Sequence, residues 1–236
     1  KEVLDALNIP RYELAGWEAD DLLGTISRKC EAAGWDCVIV TGDKDSLQLI
    51  TDATRVKLVS TRMGQTSTKD MTPDTFRAQY GFDPVHMIDL KALMGDASDN
   101  IPGVKGIGEK TAMALLQQYR SLDHLFAHLT VLETAPGVPA KPNIVQKLSD
   151  GQESARHSYW LATIVTDVPL DFRPENNLCR TPGEAAYPLF LKLEFTKLID
   201  KFALSPEAAP AAEKAESSVT VEELKDPARA RELLDL

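Results

Sequence analysis

The chain reads as an α/β protein in two parts, a parallel-sheet core over residues 1–80 and an all-helical region over residues 81–204. Three observations carry this reading. An unbroken β-branched block follows an amphipathic helix, a second strand-like run follows that block, and beyond Thr72 strand signals fade while helical periodicity continues. With 236 residues, 43% of them hydrophobic, the chain is long enough to bury one substantial core.

The elements follow in order. Val3, Leu4 and Leu7 have helical spacing that Pro10 closes, and Tyr12 to Ala15 reads as a short extended stretch. The chain thus begins inside an element, and a further segment upstream is expected. From Glu18 to Ala33, Leu22, Leu23, Ile26 and Cys30 recur at three- and four-residue steps until Gly34 stops the helix. Cys37 to Val40 form a continuous block within Asp36 to Thr41, the pattern of a buried strand in a parallel sheet. A second strand is expected over Arg55 to Ser60, and the alternation implies a doubly wound sheet. Thr72-Pro73 opens a helix to Tyr80, and further helices are expected over Pro84 to Met94, Gly108 to Tyr119, Ser121 to Leu129, Asn143 to Ile164 and Tyr187 to Leu198. Residues 205–218 have linker composition, and residues 219–236 read as the first strand and helix of a following domain.

The net charge of −10 does not suggest nucleic acid, but its distribution does not exclude it. Ser205 to Leu236 carries eight acidic and four basic residues, net −4, which leaves −6 for residues 1–204; without seven clustered carboxylates that body is +1. No run approaches the roughly 18 apolar residues of a membrane helix, and the expectation is a cytoplasmic protein. Cys30, Cys37 and Cys179 form no CxxC pair and read as small hydrophobes rather than a disulfide framework or a zinc site. Trp17, Trp35 and Trp160 read as core residues, and the four histidines show no ligand spacing.

The seven carboxylates fall in three clusters: Glu18, Asp20 and Asp21 at a helix start, Asp43 and Asp45 just after the buried strand, and Asp96 and Asp99 in a Gly/Ser-rich loop. Ligands of open α/β sheets bind beyond the carboxyl ends of the strands, where Gly42-Asp43-Lys44-Asp45 lies. Carboxylates without histidine or cysteine suit hard divalent ions, and a pair of such ions about 3.5–4 Å apart can clamp a phosphodiester. Taken singly, each cluster is better explained by helix capping or by turn chemistry, and their joint appearance with the glycine turn described next shifts the balance.

Ile101 to Ala112 reads IPGVKGIGEKTA, a turn with Gly103, Gly106 and Gly108 ahead of a helix. Glycines there permit positive φ and a close phosphate, the helix start presents free amides, and Lys105 and Lys110 add charge. Such a turn grips one DNA strand by its phosphates without reading sequence. A helix precedes it, which excludes a dinucleotide fingerprint, and the spacing excludes a Walker loop.

Ala19-Asp20-Asp21, Thr41-Gly42-Asp43-Lys44-Asp45, Leu93-Met94-Gly95-Asp96 and Ser98 to Val104, continuing to Gly108-Glu109-Lys110-Thr111-Ala112, resemble the 5′ nuclease domain of bacterial DNA polymerase I, within the flap endonuclease superfamily. The resemblance runs from Lys1 to about Leu204, with Tyr159 to Asp167 similar to a later helical segment. It implies a PIN-like nuclease core, a helix-three-turn-helix motif, and a 5′-3′ exonuclease and 5′-flap endonuclease that acts on double-stranded DNA with two Mg²⁺ or Mn²⁺ ions. Glu18, Asp20, Asp21, Asp43, Asp45, Asp96 and Asp99 would be ligands, direct or through water. A K⁺ ion would be held by the backbone carbonyls of Leu93, Met94, Pro102, Val104 and Ile107, and Gly103 with Lys105, Gly106, Ile107, Gly108, Glu109, Lys110 and Thr111 would meet DNA. The resemblance also implies a monomer, followed by polymerase domains in a longer parent. Family members carry a first strand with an aspartate, a second aspartate and a basic arch upstream of the position of Lys1, so a catalytically incomplete DNA-binding fragment is the alternative expectation. A related single-strand RNA nuclease is disfavoured by the glycine turn.

Overall fold

In the computed structural model, residues 1–129 and 142–205 are described; the expected linker and following domain lie outside the described residues. The chain separates into two compact units, one of residues 12–178 and one that joins residues 1–11 to the segment from residue 179.

The larger unit begins with α2 (Ala19–Ala32), which follows the short α1 (Glu2–Ala6) of the other unit, and continues into β1 (Cys37–Thr41), a 3₁₀ turn (Asp45–Leu49), β2 (Thr54–Arg62) and β3 (Gln65–Met71). The order is β1-β2-β3, with β1 parallel to β2 and β3 antiparallel to it. The expected doubly wound parallel sheet is therefore, among the described residues, a three-stranded mixed sheet. β3 escapes sequence reading because its residues are polar and exposed up to Met71. Its pairing comes from the turn instead: Met63 and Gly64 both have positive φ, +49° and +77°, the hairpin turn whose twist matches that of the strands. The β-branched block of β1 is also less buried than expected. Ile39 is 3% exposed, but Val38 and Val40, which point to the opposite face, are 41% and 63% exposed.

Thr72 caps α3 (Pro73–Tyr80) by accepting the Thr75 N–H, and Gly81 ends the helix at φ +82°. A 3₁₀ turn (Pro84–His86) leads into α4 (Met87–Met94), which is buried over almost its whole length, Lys91 included. α5 (Glu109–Tyr119), α6 (Leu122–Ala127), α7 (Pro142–Asp150) and α8 (Gln152–Ala162) complete the unit. The single helix expected over Asn143 to Ile164 divides at Gly151, where a Cβ would lie 2.6 Å from a Val104 methyl. Phe76, Leu90, Leu93, Leu115 and Leu148 are essentially inaccessible and join sheet and helices in one core; each contributes about 1.5–3 kcal/mol by burial. Among the described residues, Tyr12 to Ala15 pairs with no strand.

In the smaller unit, α1, α9 (Ala186–Lys192) and α10 (Thr196–Lys201) enclose Ala6, Leu7, Ala186 and Phe190. The helix expected over Tyr187 to Leu198 divides where Glu194 takes φ +57°.

All three tryptophans are exposed rather than in the core, Trp160 at 72%. Trp17 and Trp35 flank α2, and Trp160 lies on the outer side of α8, whose inner side carries Ala155, Ser158 and Ala162. Of the cysteines only Cys30 is fully buried; Cys179 is exposed, and burial pushes the half-buried Cys37 thiol up to about 11.

Candidate metal centre and hairpin

The carboxyl end of β1 turns directly into the site. The Thr41 hydroxyl accepts the Asp43 N–H at 3.0 Å, and Asp43 Oδ1 accepts the Asp45 N–H at 2.9 Å, which starts the 3₁₀ turn anchored by buried Leu47 and Leu49. Asp43 thereby uses one oxygen as a turn cap and remains exposed. Asp96 follows α4 through Gly95 at φ +74°. Asp96 and Ile101 exchange backbone hydrogen bonds of 2.9 and 2.8 Å, and this bridge closes the loop that carries Asp99.

Asp45, Asp96 and Asp99 each offer one oxygen within 4.8 Å of the others, the one such acidic group of three among the described residues. Their focus is shared by Lys91. Its Nζ lies 2.7 Å from Asp96 Oδ2 and 3.3 Å from Asp99 Oδ2, and it also donates to Asp45 Oδ2. Burial opposes the Lys91 charge, yet the Asp45 and Asp96 carboxylates outweigh it and raise its pKa. The Lys91 ammonium and the Ser98 hydroxyl and amide lower the Asp96 carboxyl to about 2. Asp45, with its side chain only 14% exposed, responds oppositely: burial raises its pKa against the pull of Lys91.

Asp20 is held above the ordinary carboxylate value by burial and by the charges of Asp21 and Asp43. Glu18 and Asp21 are placed differently. Asp21 Oδ1 accepts the Val165 N–H at 2.8 Å and Oδ2 accepts the Glu18 N–H at 3.3 Å, so that carboxylate fastens backbone at the start of α2, and Glu18 is the exposed N-cap. The donor set of Asp45, Asp96 and Asp99, all oxygen and mutually close, fits a hard divalent cation.

In the hairpin, Gly103 and Gly106 have φ of +62° and +81°, while Gly108 is extended and caps α5. Gly103, Val104 and Ile107 are buried beneath the turn; Lys105, Gly106, Gly108, Glu109 and Lys110 are exposed and Thr111 is half-buried. No side chain caps α5, and while the Thr111 N–H donates to the Gly108 carbonyl, the Glu109 and Lys110 amides face the helix start without a side-chain cap. A Cβ on Gly103 would lie 2.3 Å from the Gly95 nitrogen and one on Gly95 2.9 Å from the Pro102 oxygen, so two glycines let the Met94-Gly95 and Pro102-Gly103 backbones meet. The Leu93 carbonyl accepts the Val104 N–H and the Val104 carbonyl the Ile107 N–H, each keeping a second lone pair.

The profile described as "5′-3′ exonuclease, N-terminal resolvase-like domain" matches residues 1–81, and "5′-3′ exonuclease, C-terminal SAM fold" matches residues 82–185. The chain belongs to the 5′-3′ exonuclease family. It is 40% identical over 206 residues to a DNA polymerase I of Caldicellulosiruptor bescii, covering 87% of this chain and 23% of that one. It is 44% identical over 171 residues to a DNA polymerase I of Bacillus subtilis (72% and 18%) and 38% identical over 212 residues to a thermostable DNA polymerase I of Thermus thermophilus (89% and 24%). The chain thus spans about a quarter or less of the length of these relatives. Its fold is similar to that of the T5 D15 protein co-crystallised with metal ions (TM-score 0.53, 23% identity, 83% of this chain and 63% of that one). It is also similar to the catalytic core of Rad2 in complex with DNA substrate (TM-score 0.57, 16% identity, 85% and 65%).

Within this member of the 5′-3′ exonuclease family, sequence reading passed over Lys91, Gln48 and Ser158. A signal existed for the first. Lys91 is the one basic residue of α4, with Leu90, Ala92 and Leu93 around it, and a lysine among buried neighbours requires a carboxylate partner.

Proposed function

We propose that this chain is the 5′-3′ exonuclease and 5′-flap endonuclease portion of a bacterial DNA polymerase I, hydrolysing DNA phosphodiesters in replication and repair. The observation that carries the proposal is the convergence of Asp45, from the end of β1, with Asp96 and Asp99, from the loop after α4. In the proposed division of labour, residues 1–80 supply Asp45 with Glu18, Asp20, Asp21 and Asp43, and residues 81–204 supply both the grip and Asp96 with Asp99.

Asp45, Asp96 and Asp99 would hold Mg²⁺ or Mn²⁺, and Asp20 and Asp43 would serve a second ion, with Glu18 and Asp21 acting through water or backbone. Such ions supply hydroxide near neutral pH and neutralise charge on the phosphate. Lys105, Gly106, Gly108, Glu109, Lys110 and Thr111 would meet the phosphates of double-stranded DNA bearing a 5′ flap or 5′ end, over Gly103 and Ile107. A K⁺ ion would sit among the carbonyls of Leu93, Met94, Pro102, Val104 and Ile107, where the paired glycines bring those backbones together. The proposal extends to a cytoplasmic, nucleoid-associated monomer followed by polymerase domains. It is supported by the polymerase relatives and by the metal-bound and DNA-bound proteins of similar fold.

The test is cleavage of a labelled 5′-flap duplex with Mg²⁺ or Mn²⁺, against EDTA and against Asp96→Asn with Asp99→Asn. Metal-dependent cleavage lost in the double variant is expected. Binding of the duplex without cleavage at any metal concentration would replace the proposal with that of a DNA-binding fragment.

A further inference from the structure

One continuous run of chain touches both halves of the proposed site. In α8, the fully buried Ser158 hydroxyl accepts the Gly103 N–H at 2.9 Å, and the Ser154 hydroxyl donates to the Gly103 carbonyl at 2.6 Å. Two serines four residues apart on one helix face therefore hold both backbone polar groups of a single hairpin residue, Gly103. The other end of α8 is tied to the 3₁₀ turn that begins at Asp45. The buried Gln48 amide donates to the Ala162 carbonyl at 2.9 Å and accepts the Ile164 N–H at 3.0 Å. One residue on, the Val165 N–H donates to Asp21, and Thr25 accepts the Val168 N–H at 3.1 Å. Gly24 makes room for this: a Cβ there would lie 2.9 Å from Ile164.

We infer that Ser154 to Val165 is a positioning strut that sets the spacing between the phosphate-gripping turn and the carboxylate group, with Ser158 and Gln48 as its two buried fasteners. This rests on the nuclease reading proposed above and adds positioning residues to it. The physical basis is the completeness of the fastening. Gln48 uses its donor and its acceptor on two backbone groups either side of one residue, so it fixes the end of α8 against the turn in one register rather than merely filling space. Hydrolysis depends on the distance from the gripped phosphate to the cations, and a misplacement near 1 Å costs on the order of 100-fold. Neither Ser158 nor Gln48 lies among the carboxylates or the exposed hairpin residues.

The experiment has two arms on Gln48→Leu, Gln48→Glu, Ser158→Ala and, as conservative control, Ser158→Thr. In the first, spin labels on Lys44→Cys and Lys105→Cys, in a background of Cys30→Ala, Cys37→Ser and Cys179→Ser, report the distance distribution between carboxylate loop and hairpin. A narrow distribution that broadens or shifts in Gln48→Leu and Ser158→Ala, and is restored in Ser158→Thr, is expected. In the second, cleavage of the flap duplex should show kcat lowered about 10- to 100-fold and cut sites spread to neighbouring phosphodiesters, with the flap-duplex Kd within twofold of wild type. Unchanged distance distributions in folded variants overturn the strut. A wild-type chain that never cleaves overturns the nuclease reading and leaves the distance arm to decide the strut alone. Gln48→Glu keeps the side-chain shape and the Ile164 contact but, ionised, cannot donate to the Ala162 carbonyl, so if Gln48→Leu fails to fold, a broadened distribution in Gln48→Glu supports the strut and an unchanged one overturns it.

Discussion

The Lys91 ammonium sits 2.7 Å from Asp96 Oδ2 and contacts Asp45 and Asp99 as well, so the carboxylate group carries a counter-ion from the chain itself. Four charged groups from three stretches of chain are balanced there at a net charge near −2 rather than −3.

Replacing Lys91 with methionine keeps its length and removes the charge. The carboxylates are only partly buried, so the loss of stability in EDTA should be about 2 kcal/mol, less than the roughly 3–5 kcal/mol of a fully buried pair. Mn²⁺ should then raise the midpoint of thermal unfolding more in Lys91→Met than in wild type. Equal Mn²⁺ shifts in both proteins would show that the lysine and the cation do not compete for the same oxygens.

The carboxylates should impose opposite pH dependences. Asp96 is lowered to about 2, so its contribution is present above the ordinary carboxylate value and is lost as pH falls through 2. Asp20 and Asp45 are raised, so they cost stability as pH climbs through the ordinary carboxylate value toward neutrality. Asp20→Asn should therefore be more stable than wild type in EDTA at pH 7, with the gap closing near pH 4. Urea midpoints at the two pH values measure this, and a gap of equal size at both would refute it.

Gly103→Ala and Gly108→Ala should separate fold from grip. A methyl on Gly103 meets the Gly95 backbone at 2.3 Å and φ is +62°, so a loss of at least about 3 kcal/mol is expected. Gly108 is extended with open space around its Cβ, so Gly108→Ala should alter stability by less than about 1 kcal/mol. It should nonetheless weaken duplex binding if phosphate approaches that backbone, as titration calorimetry against duplex DNA would show.

Lys105 and Lys110 are exposed on the hairpin and should act as point charges on phosphate. Each alanine substitution should weaken binding equally across unrelated duplex sequences and reduce the slope of log Kd against log salt by about 1. Sequence-dependent losses would mean base contacts instead.

Sequence reading captured helices whose signal is local. α2, α3 and α5 appear within a residue or two of their expected bounds because periodicity, Thr72-Pro73 and the glycine stops act through neighbours in the chain. β3 was missed because a polar exposed hairpin has no apolar alternation to read, and α7 and α8 were joined because the requirement for a glycine at 151, where a Cβ would meet Val104, is set by a residue distant in sequence. The seven carboxylates were visible as residue types, but not their division. Asp45, Asp96 and Asp99 share a focus, whereas Asp21 is spent on the Val165 and Glu18 amides.

The amino-acid order by itself determined which groups this protein has for chemistry: oxygen ligands without histidine or thiol, and a glycine turn with two lysines ahead of a helix. Only the tertiary structure decided which of those groups act together. Hydrogen bonds and ion pairs between residues 46 to 144 positions apart, such as Lys91 to Asp45 and Val165 to Asp21, depend on how β1, α2, α4 and α8 pack against one core. No local pattern encodes that packing, because directional polar contacts form only after burial has brought their elements together.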